Sequence, residues 1–159
     1  KDFKGECVHF DNNIRKHGGI DLMVLGIGRN SHIAFNEPGS SLTSKTRIKT
    51  LTKDTMIANS RFFGDDITKV PKTALTVGVG TVLSATRVVL IISGHNKARA
   101  LSKVVEEGVN HMWTVSALQM HPKGIIVCDH SATFELKVGT VEYFKDIEAK
   151  NLDYKSLLL

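Results

Sequence analysis

Residues 22–28 read LMVLGIG, an unbroken apolar run that ends in a glycine turn. Such a run is typical of a strand buried on both faces of a parallel sheet. The same unit recurs at 88–92 (VVLII) and at 125–127 (IIV), each followed by polar turn residues. Strand, turn and helix repeated in this way predict an α/β fold with a three-layer, mainly parallel sheet and helices on both faces, a Rossmann-like arrangement.

Helical periodicity accompanies these strands. Residues 2–17 carry apolar side chains on one helical face, and Gly18-Gly19 ends that helix. A second predicted helix turns Ala98, Leu101, Val104 and Val105 inward, and a third opens at Ser131 and carries Phe134, Val138, Val141, Phe144 and Ile147 on one stripe. Because three strong strands are few for a doubly wound sheet, we expect residues 1–159 to form a single domain that is N-terminally incomplete.

Composition narrows the class of protein. The 159 residues are 42% hydrophobic, enough for one real core, and contain no apolar stretch that would span a membrane. The net charge is +5, but the basic residues are scattered among 16 acidic ones and aromatics make up only 6%. These features disfavour a nucleic-acid surface. We expect a cytoplasmic protein that binds small anions rather than nucleic acid or a membrane.

Neither a metal nor an organic cofactor is predicted. The histidines and the two cysteines have no spacing that suits a zinc site or a disulfide framework. Gly26-Ile27-Gly28 does not complete a dinucleotide fingerprint, because Ser31 occupies the third glycine position. We therefore expect the protein to work without NAD.

The loop after the first strand carries a candidate proton-transfer pair, His32 and Glu37. A histidine near a carboxylate, at the carboxyl end of a buried strand, can donate and accept protons near neutral pH. From these residues alone, an ordinary surface histidine in a loop is the favoured interpretation.

Two sets of basic residues suggest anion sites. Lys97 stands at the start of a helix, where free backbone N–H groups favour a phosphate, and Arg61 lies between apolar neighbours. Arg47 and Lys49 alternate along an extended segment and share one face, downstream of Ser41. Solvated surface cations are the alternative for each set.

Four segments together resemble glucosamine-6-phosphate deaminases: 32–38 (HIAFNEP), 44–51 (SKTRIKTL), 74–81 (ALTVGVGT) and 108–114 (GVNHMWT). They occur in the family's order, and the resemblance covers essentially the whole chain but only the later portion of the family. It implies conversion of glucosamine 6-phosphate and water to fructose 6-phosphate and ammonia without a cofactor. It also implies that His32 helps to open the sugar ring, that Glu37 holds the imidazole, and that Arg61 and Lys97 hold the substrate phosphate.

The resemblance implies regulation as well. Bacterial members assemble as hexamers and bind N-acetylglucosamine 6-phosphate at an allosteric site. The matching positions here are Ser41, Arg47, Lys49 and Tyr143.

The sequence departs from the family pattern at two points. Asn30 stands where an aspartate is usual, and because an amide can accept a hydrogen bond from the imidazole but cannot stabilise its charged form, we expect a weaker catalyst. Ser31 replaces a glycine, which strains the turn if that position needs positive φ. The family's proton-abstracting aspartate and a phosphate-binding loop belong to its N-terminal portion, so this chain alone is expected to hold a half-built site.

Two other functions stay open at this point. One is a 6-phosphogluconolactonase-like hydrolase, which shares the fold and a similar glycine and histidine loop, although segment 34–38 (AFNEP) disfavours it. The other is a catalytically inactive sugar-phosphate-binding subunit, in which Asn30 has abolished turnover.

Overall fold

The computed structural model describes residues 2–149 of the chain. Ten helices and strands follow one another along these residues: α1 (Phe3–Lys16), β1 (Leu22–Leu25), β2 (Arg47–Thr50), α2 (Lys53–Asn59), β3 (Thr73–Thr76), α3 (Val79–Leu83), β4 (Arg87–Ile92), α4 (Ala98–Val105), β5 (Gly124–Cys128) and α5 (Val138–Ala149). Short 3₁₀ segments connect them at Ser60–Phe63, Ile67–Lys69, His95–Lys97, Thr114–Met120 and His130–Thr133. No helix within residues 2–149 is both long enough and apolar enough to cross a membrane.

The main sheet is parallel, with the strand order β1-β4-β5. Met23 pairs with Val88, and Val89 pairs with Ile125, so the three predicted strands lie side by side. β2 and β3 form a separate antiparallel pair. The prediction of an α/β fold with a mainly parallel sheet is confirmed.

The hydrophobic core lies on one face of this sheet. Alternate residues of β4 point into it and are fully buried: Val88, Leu90 and Ile92. They pack with the helices α3 and α4 and with the segment Thr114–Met120, whose core members are Val79, Val82, Leu101, Val104, Val115 and Leu118. Each large side chain in this cluster contributes about 1.5–3 kcal/mol by burial.

The opposite face of the sheet carries apolar side chains that are between 48% and 54% exposed: Leu22, Val24, Ile91, Ile125 and Val127. We call this surface the bare sheet face. Helices α3 and α4 pack against the core face of the sheet. Among residues 2–149, the apolar side chains of the bare sheet face remain about half exposed.

The helix after β4 is found with its expected inward residues. Helix α1 lies at its predicted place, but of its apolar face only Cys7 is buried, while Phe3 and Phe10 are about half exposed. The third helix begins later than predicted. Ser131 was expected to open it, but Asp129 instead caps a 3₁₀ turn by accepting a hydrogen bond from the Ala132 amide. Helix α5 starts only at Val138, after the Glu106 carboxylate accepts from the Lys137 amide at 2.8 Å. Phe134 therefore lies outside the helix, because a carboxylate distant in sequence defines its start.

Candidate active site

The loops that follow the three parallel strands meet at one edge of the sheet, as parallel α/β folds require. Lys97, in the loop after β4, donates from Nζ to the carbonyl of Ile27, in the loop after β1, at 2.7 Å. Asp129, after β5, accepts from the Ser93 hydroxyl at 2.6 Å and from the Gly94 amide. These contacts hold the candidate site together.

His32 and Glu37 form the centre of this site. Nδ1 of His32 lies 3.3 Å from Oε2 of Glu37, and the two side chains are 15% and 5% exposed. The turn between β1 and His32 is tight, since the Gly28 amide donates to the His32 carbonyl at 2.9 Å. A Cβ on Gly28 would stand 2.3 Å from Cε1 of the ring, so only glycine leaves room for the imidazole.

The Glu37 carboxylate is held by several donors. Oε2 accepts from Nδ2 of Asn30 at 2.9 Å. Oε1 accepts from the hydroxyl of Thr55 and, at 3.1 Å, from that of Thr52. Burial raises the pKa of Glu37. The hydrogen bonds from Thr55 and Asn30 lower it, as do the interaction with His32 and the hydrogen bond from the Thr52 amide, and together they leave the pKa below its usual value. Glu37 is thus an anion at neutral pH.

The imidazole is uncharged at neutral pH. Burial lowers the pKa of His32 below its ordinary value of 6.5, and the charge of Lys97 lowers it further, while Glu37 opposes both. A neutral imidazole beside a fixed carboxylate can accept a proton and keep the resulting charge paired. This is the protonation state that a general base needs.

Asn30 does not contact the imidazole in the way the sequence predicted. Its amide donates to Glu37, and its Oδ1 atom is buried without a hydrogen-bond partner among the described residues. The expected hydrogen bond from His32 to Asn30 is therefore absent from this part of the chain. An ionised carboxylate is the stronger acceptor, so the amide turns its N–H towards Glu37.

Ser31 carries the strain that its replacement of glycine predicted. The backbone φ angle of Ser31 is 59°, in the left-handed region. The residue is fully buried, and its hydroxyl has no hydrogen-bond partner within residues 2–149. Such a conformation costs a non-glycine residue about 1–3 kcal/mol. The strained residue directly precedes His32.

Lys97, whose charge acts on His32, has two further cations near it, Arg29 and Arg61. Burial lowers the pKa of Lys97, and the nearby charges of Arg29 and Arg61 lower it further, so the three groups lie within electrostatic reach of one another. The Arg61 guanidinium lies over the Phe62 ring at 4.7 Å. The structure thus brings Arg61 and Lys97 together and adds Arg29, which sequence analysis missed although it sits in the same turn as Asn30.

Thr52 and Thr55 were also missed. Thr52 is the N-cap of α2 and accepts from the Thr55 amide, so the run Leu51-Thr52-Lys53-Asp54 held a recognisable capping signal. That signal predicts a helix start, but it does not predict that both hydroxyls donate to the Glu37 carboxylate.

The predicted allosteric residues lie in three places: on β2, in the loop before it and on α5. Arg47 and Lys49 share one face of β2, and Arg47 donates to Oδ1 of Asn36 at 2.9 Å. The Ser41 hydroxyl is 3.1 Å from that of Thr43. Tyr143 lies on α5, 60% exposed, with its ring against Phe144, and within residues 2–149 no hydrogen bond joins it to the other three.

Comparison with known proteins identifies the chain's relatives. The family model described as glucosamine-6-phosphate isomerases/6-phosphogluconolactonase matches residues 4–127, most of the chain. This chain belongs to that family. The matched residues include the whole His32 loop, β4 and Lys97.

Members of the family from Bacteroides are highly similar to this chain. Proteins named glucosamine-6-phosphate deaminase from Bacteroides thetaiotaomicron and Bacteroides fragilis are 68% and 67% identical over 157 residues. The match covers 99% of this chain but 58% of each relative, so the chain spans little more than half the length of these relatives.

Solved structures from the family share the fold. A monomeric glucosamine-6-phosphate deaminase is 42% identical, with a TM-score of 0.80 over 83% of this chain and 54% of its own. The 6-phosphogluconolactonase from Trypanosoma cruzi is 19% identical, with a TM-score of 0.54 over 74% of this chain and 41% of its own, and shows the fold alone. Within the family, this chain is thus much more similar to deaminases than to that lactonase.

Proposed function

We propose that this chain carries the sugar-ring-opening and phosphate-binding part of a glucosamine-6-phosphate deaminase. The observation that carries the proposal is the pairing of a neutral His32 with an ionised Glu37 beside Lys97. The names of the relatives that are 67–68% identical supply the substrate. The reaction converts glucosamine 6-phosphate and water to fructose 6-phosphate and ammonia, and it needs no metal or organic cofactor.

His32 acts in the ring-opening step. Because Nδ1 is turned towards Glu37, Nε2 remains to exchange a proton with the sugar. Nε2 accepts the proton of the anomeric hydroxyl while the carbonyl bond forms at C1, and the C1–O5 bond breaks as the imidazolium gives this proton to O5. The imidazolium exists only between these two transfers, and the fixed charge of Glu37 stabilises it.

The substrate phosphate binds between Lys97, Arg61 and Arg29. Burial and the charges of Arg29 and Arg61 lower the pKa of Lys97, so these cations gain a counter-charge when a dianion enters, and the arginines offer paired N–H groups to its oxygens. The hydrogen bond of Lys97 to the Ile27 carbonyl supports an anion site next to the loop that carries His32.

Ammonia release from a hybrid enzyme tests the proposal. The 157 matched residues of this chain replace the corresponding part of the full-length Bacteroides thetaiotaomicron relative, and His32→Ala in the same hybrid is the control. We expect ammonia release that the control abolishes. Hydrolysis of 6-phosphogluconolactone instead would support the lactonase alternative, and substrate binding without release of ammonia would support an inactive binding subunit.

We also propose a second sugar-phosphate site, for N-acetylglucosamine 6-phosphate, at Ser41, Arg47, Lys49 and Tyr143. Burial lowers the pKa of the Arg47 guanidinium, and its hydrogen bond to Asn36, next to Glu37 in sequence, gives this site a route to the catalytic pair. A hexamer would let the subunits share this control, whereas the solved relative is described as monomeric. Light scattering of the hybrid, with and without the effector, decides the oligomeric state.

The proposed substrate places the enzyme in the cytoplasm. A phosphorylated sugar is charged at neutral pH, so it does not cross a membrane unaided and remains where it is made. The hybrid's activity on glucosamine 6-phosphate is therefore the observation on which this location depends.

A further inference from the structure

The two oxygens of Glu37 have different neighbours. Oε2 faces the imidazole and the Asn30 amide, whereas Oε1 is turned away from them, towards the first turn of α2. There it accepts from the hydroxyls of Thr52 and Thr55. The carboxylate plane is therefore fixed at both ends, which a single hydrogen bond would not achieve.

Thr55 is the better placed of the two hydroxyls. The residue is only 5% exposed, and its hydroxyl donates to Glu37. Thr52 is exposed, and its oxygen already accepts from the Thr55 amide to cap the helix. Water can replace the hydrogen bond from Thr52, whereas the buried position of Thr55 leaves little room for a substitute donor.

We infer that Thr55 is a positioning residue for the proton-transfer pair: its hydroxyl anchors Oε1 of Glu37 so that Oε2 faces Nδ1 of His32. Without this anchor Oε1 keeps only the longer hydrogen bonds from the Thr52 hydroxyl, at 3.1 Å, and the Thr52 amide, at 3.4 Å. The carboxylate is then freer to rotate about its last side-chain bond, a torsion with broad minima. Oε2 then leaves the imidazole. Thr55 acts through Glu37 and needs no contact with substrate. The catalytic consequence rests on the proposed function, but the contact itself does not.

The ionisation of Glu37 tests the anchor without any turnover. Thr55→Val removes the hydroxyl and keeps the shape, Thr55→Ser keeps the hydroxyl, and Thr133→Val is a matched control whose hydroxyl bonds to the His130 carbonyl. NMR titration of the Glu37 side-chain carboxyl carbon in the 159-residue chain should show a raised pKa in Thr55→Val alone. An unchanged Glu37 pKa in Thr55→Val, or a raised one in Thr55→Ser, overturns the inference.

A second variant covers the case in which Thr55→Val does not fold. Thr55→Cys keeps a weaker donor, so its Glu37 pKa should lie above that of the threonine and serine forms. Equal values in all three forms refute the anchor.

In the hybrid enzyme, Thr55→Val should lower kcat by about tenfold, the lower end expected for one hydrogen bond to a charged group, with KM unchanged. The acid limb of the pH profile, which reports protonation of His32, should move to lower pH, because Glu37 raises the pKa of His32 and is displaced in this variant. Thr55→Ser should restore both kcat and the acid limb. A lower kcat without movement of the acid limb would mean a structural role only. An inactive hybrid would refute the proposed function, while the titration would still decide the role of Thr55.

Discussion

Replacement of Gly28 by alanine should disable the imidazole while leaving the fold almost intact. The new Cβ would lie 2.3 Å from Cε1 of His32 and 2.5 Å from both ring nitrogens. Non-bonded carbon atoms pack at about 3.5–4.0 Å, so the ring must move by roughly 1 Å. A shift of this size in a reacting group reduces turnover by about a hundredfold. Because a side chain yields rather than backbone, the free energy of unfolding should fall by only about 1 kcal/mol, the low end of overpacking costs.

The assay compares Gly28→Ala with Gly139→Ala. An alanine at 139, in α5, meets no atom of the described residues within 4 Å and should leave turnover unchanged. In Gly28→Ala, the pKa of His32 should rise towards its ordinary 6.5, because a ring pushed out of its site regains water. Ammonia release by the hybrid within twofold of the parent, together with an unchanged His32 titration, would refute the reasoning.

Three further predictions concern the same site. Ser31→Gly should raise the free energy of unfolding, measured in urea, by about 1 kcal/mol, because the strain removed at the left-handed φ exceeds the entropy cost of glycine. An unchanged free energy of unfolding would show that the backbone at Ser31 is not strained. Because the pKa of His32 is lowered in the folded state, the unfolded state binds a proton at this residue first as the pH falls. The free energy of unfolding should therefore decrease as the pH drops from 6.5 towards the folded-state pKa. His32→Gln should remove this pH dependence, as equilibrium unfolding across about pH 5–7.5 would show. Lys97→Met in the hybrid should weaken the binding of inorganic phosphate, measured by calorimetry, by about 10–100-fold. Arg87→Met, at the other end of β4, should leave the affinity unchanged. Equal phosphate affinities of the two variants would remove Lys97 from the site.

The parallel strands were predictable because their signal is local. Residues 22–25 and 125–127 are apolar runs with turn residues at their ends, and the structure has strands at both places. The helix after β4 was predictable for the same reason, since its inward stripe repeats with the helical period. The start of α5 was not, because Glu106, 31 residues earlier, sets it through the Lys137 amide.

The candidate site was predictable in its residue types but not in its connections. His32 and Glu37 lie five residues apart in one glycine-rich loop, so their proximity was visible in the sequence. The partner of Asn30 was not visible, because its side chain can accept from His32 or donate to Glu37, and only the folded loop shows that it donates to Glu37. The contact of Thr55 with Glu37 spans 18 residues and crosses from a loop to a helix, beyond the reach of any local pattern.

The bare sheet face has a consequence for the behaviour of the chain in solution. Its aliphatic side chains form a flat apolar surface of the kind through which proteins associate. The net charge of +5 keeps molecules apart, but this repulsion acts only over the Debye length, about 30 Å at 0.01 M salt and about 8 Å at 0.15 M. Salt therefore removes the long-range repulsion while leaving the apolar attraction in place. We therefore expect the purified chain to associate more readily as the salt concentration rises.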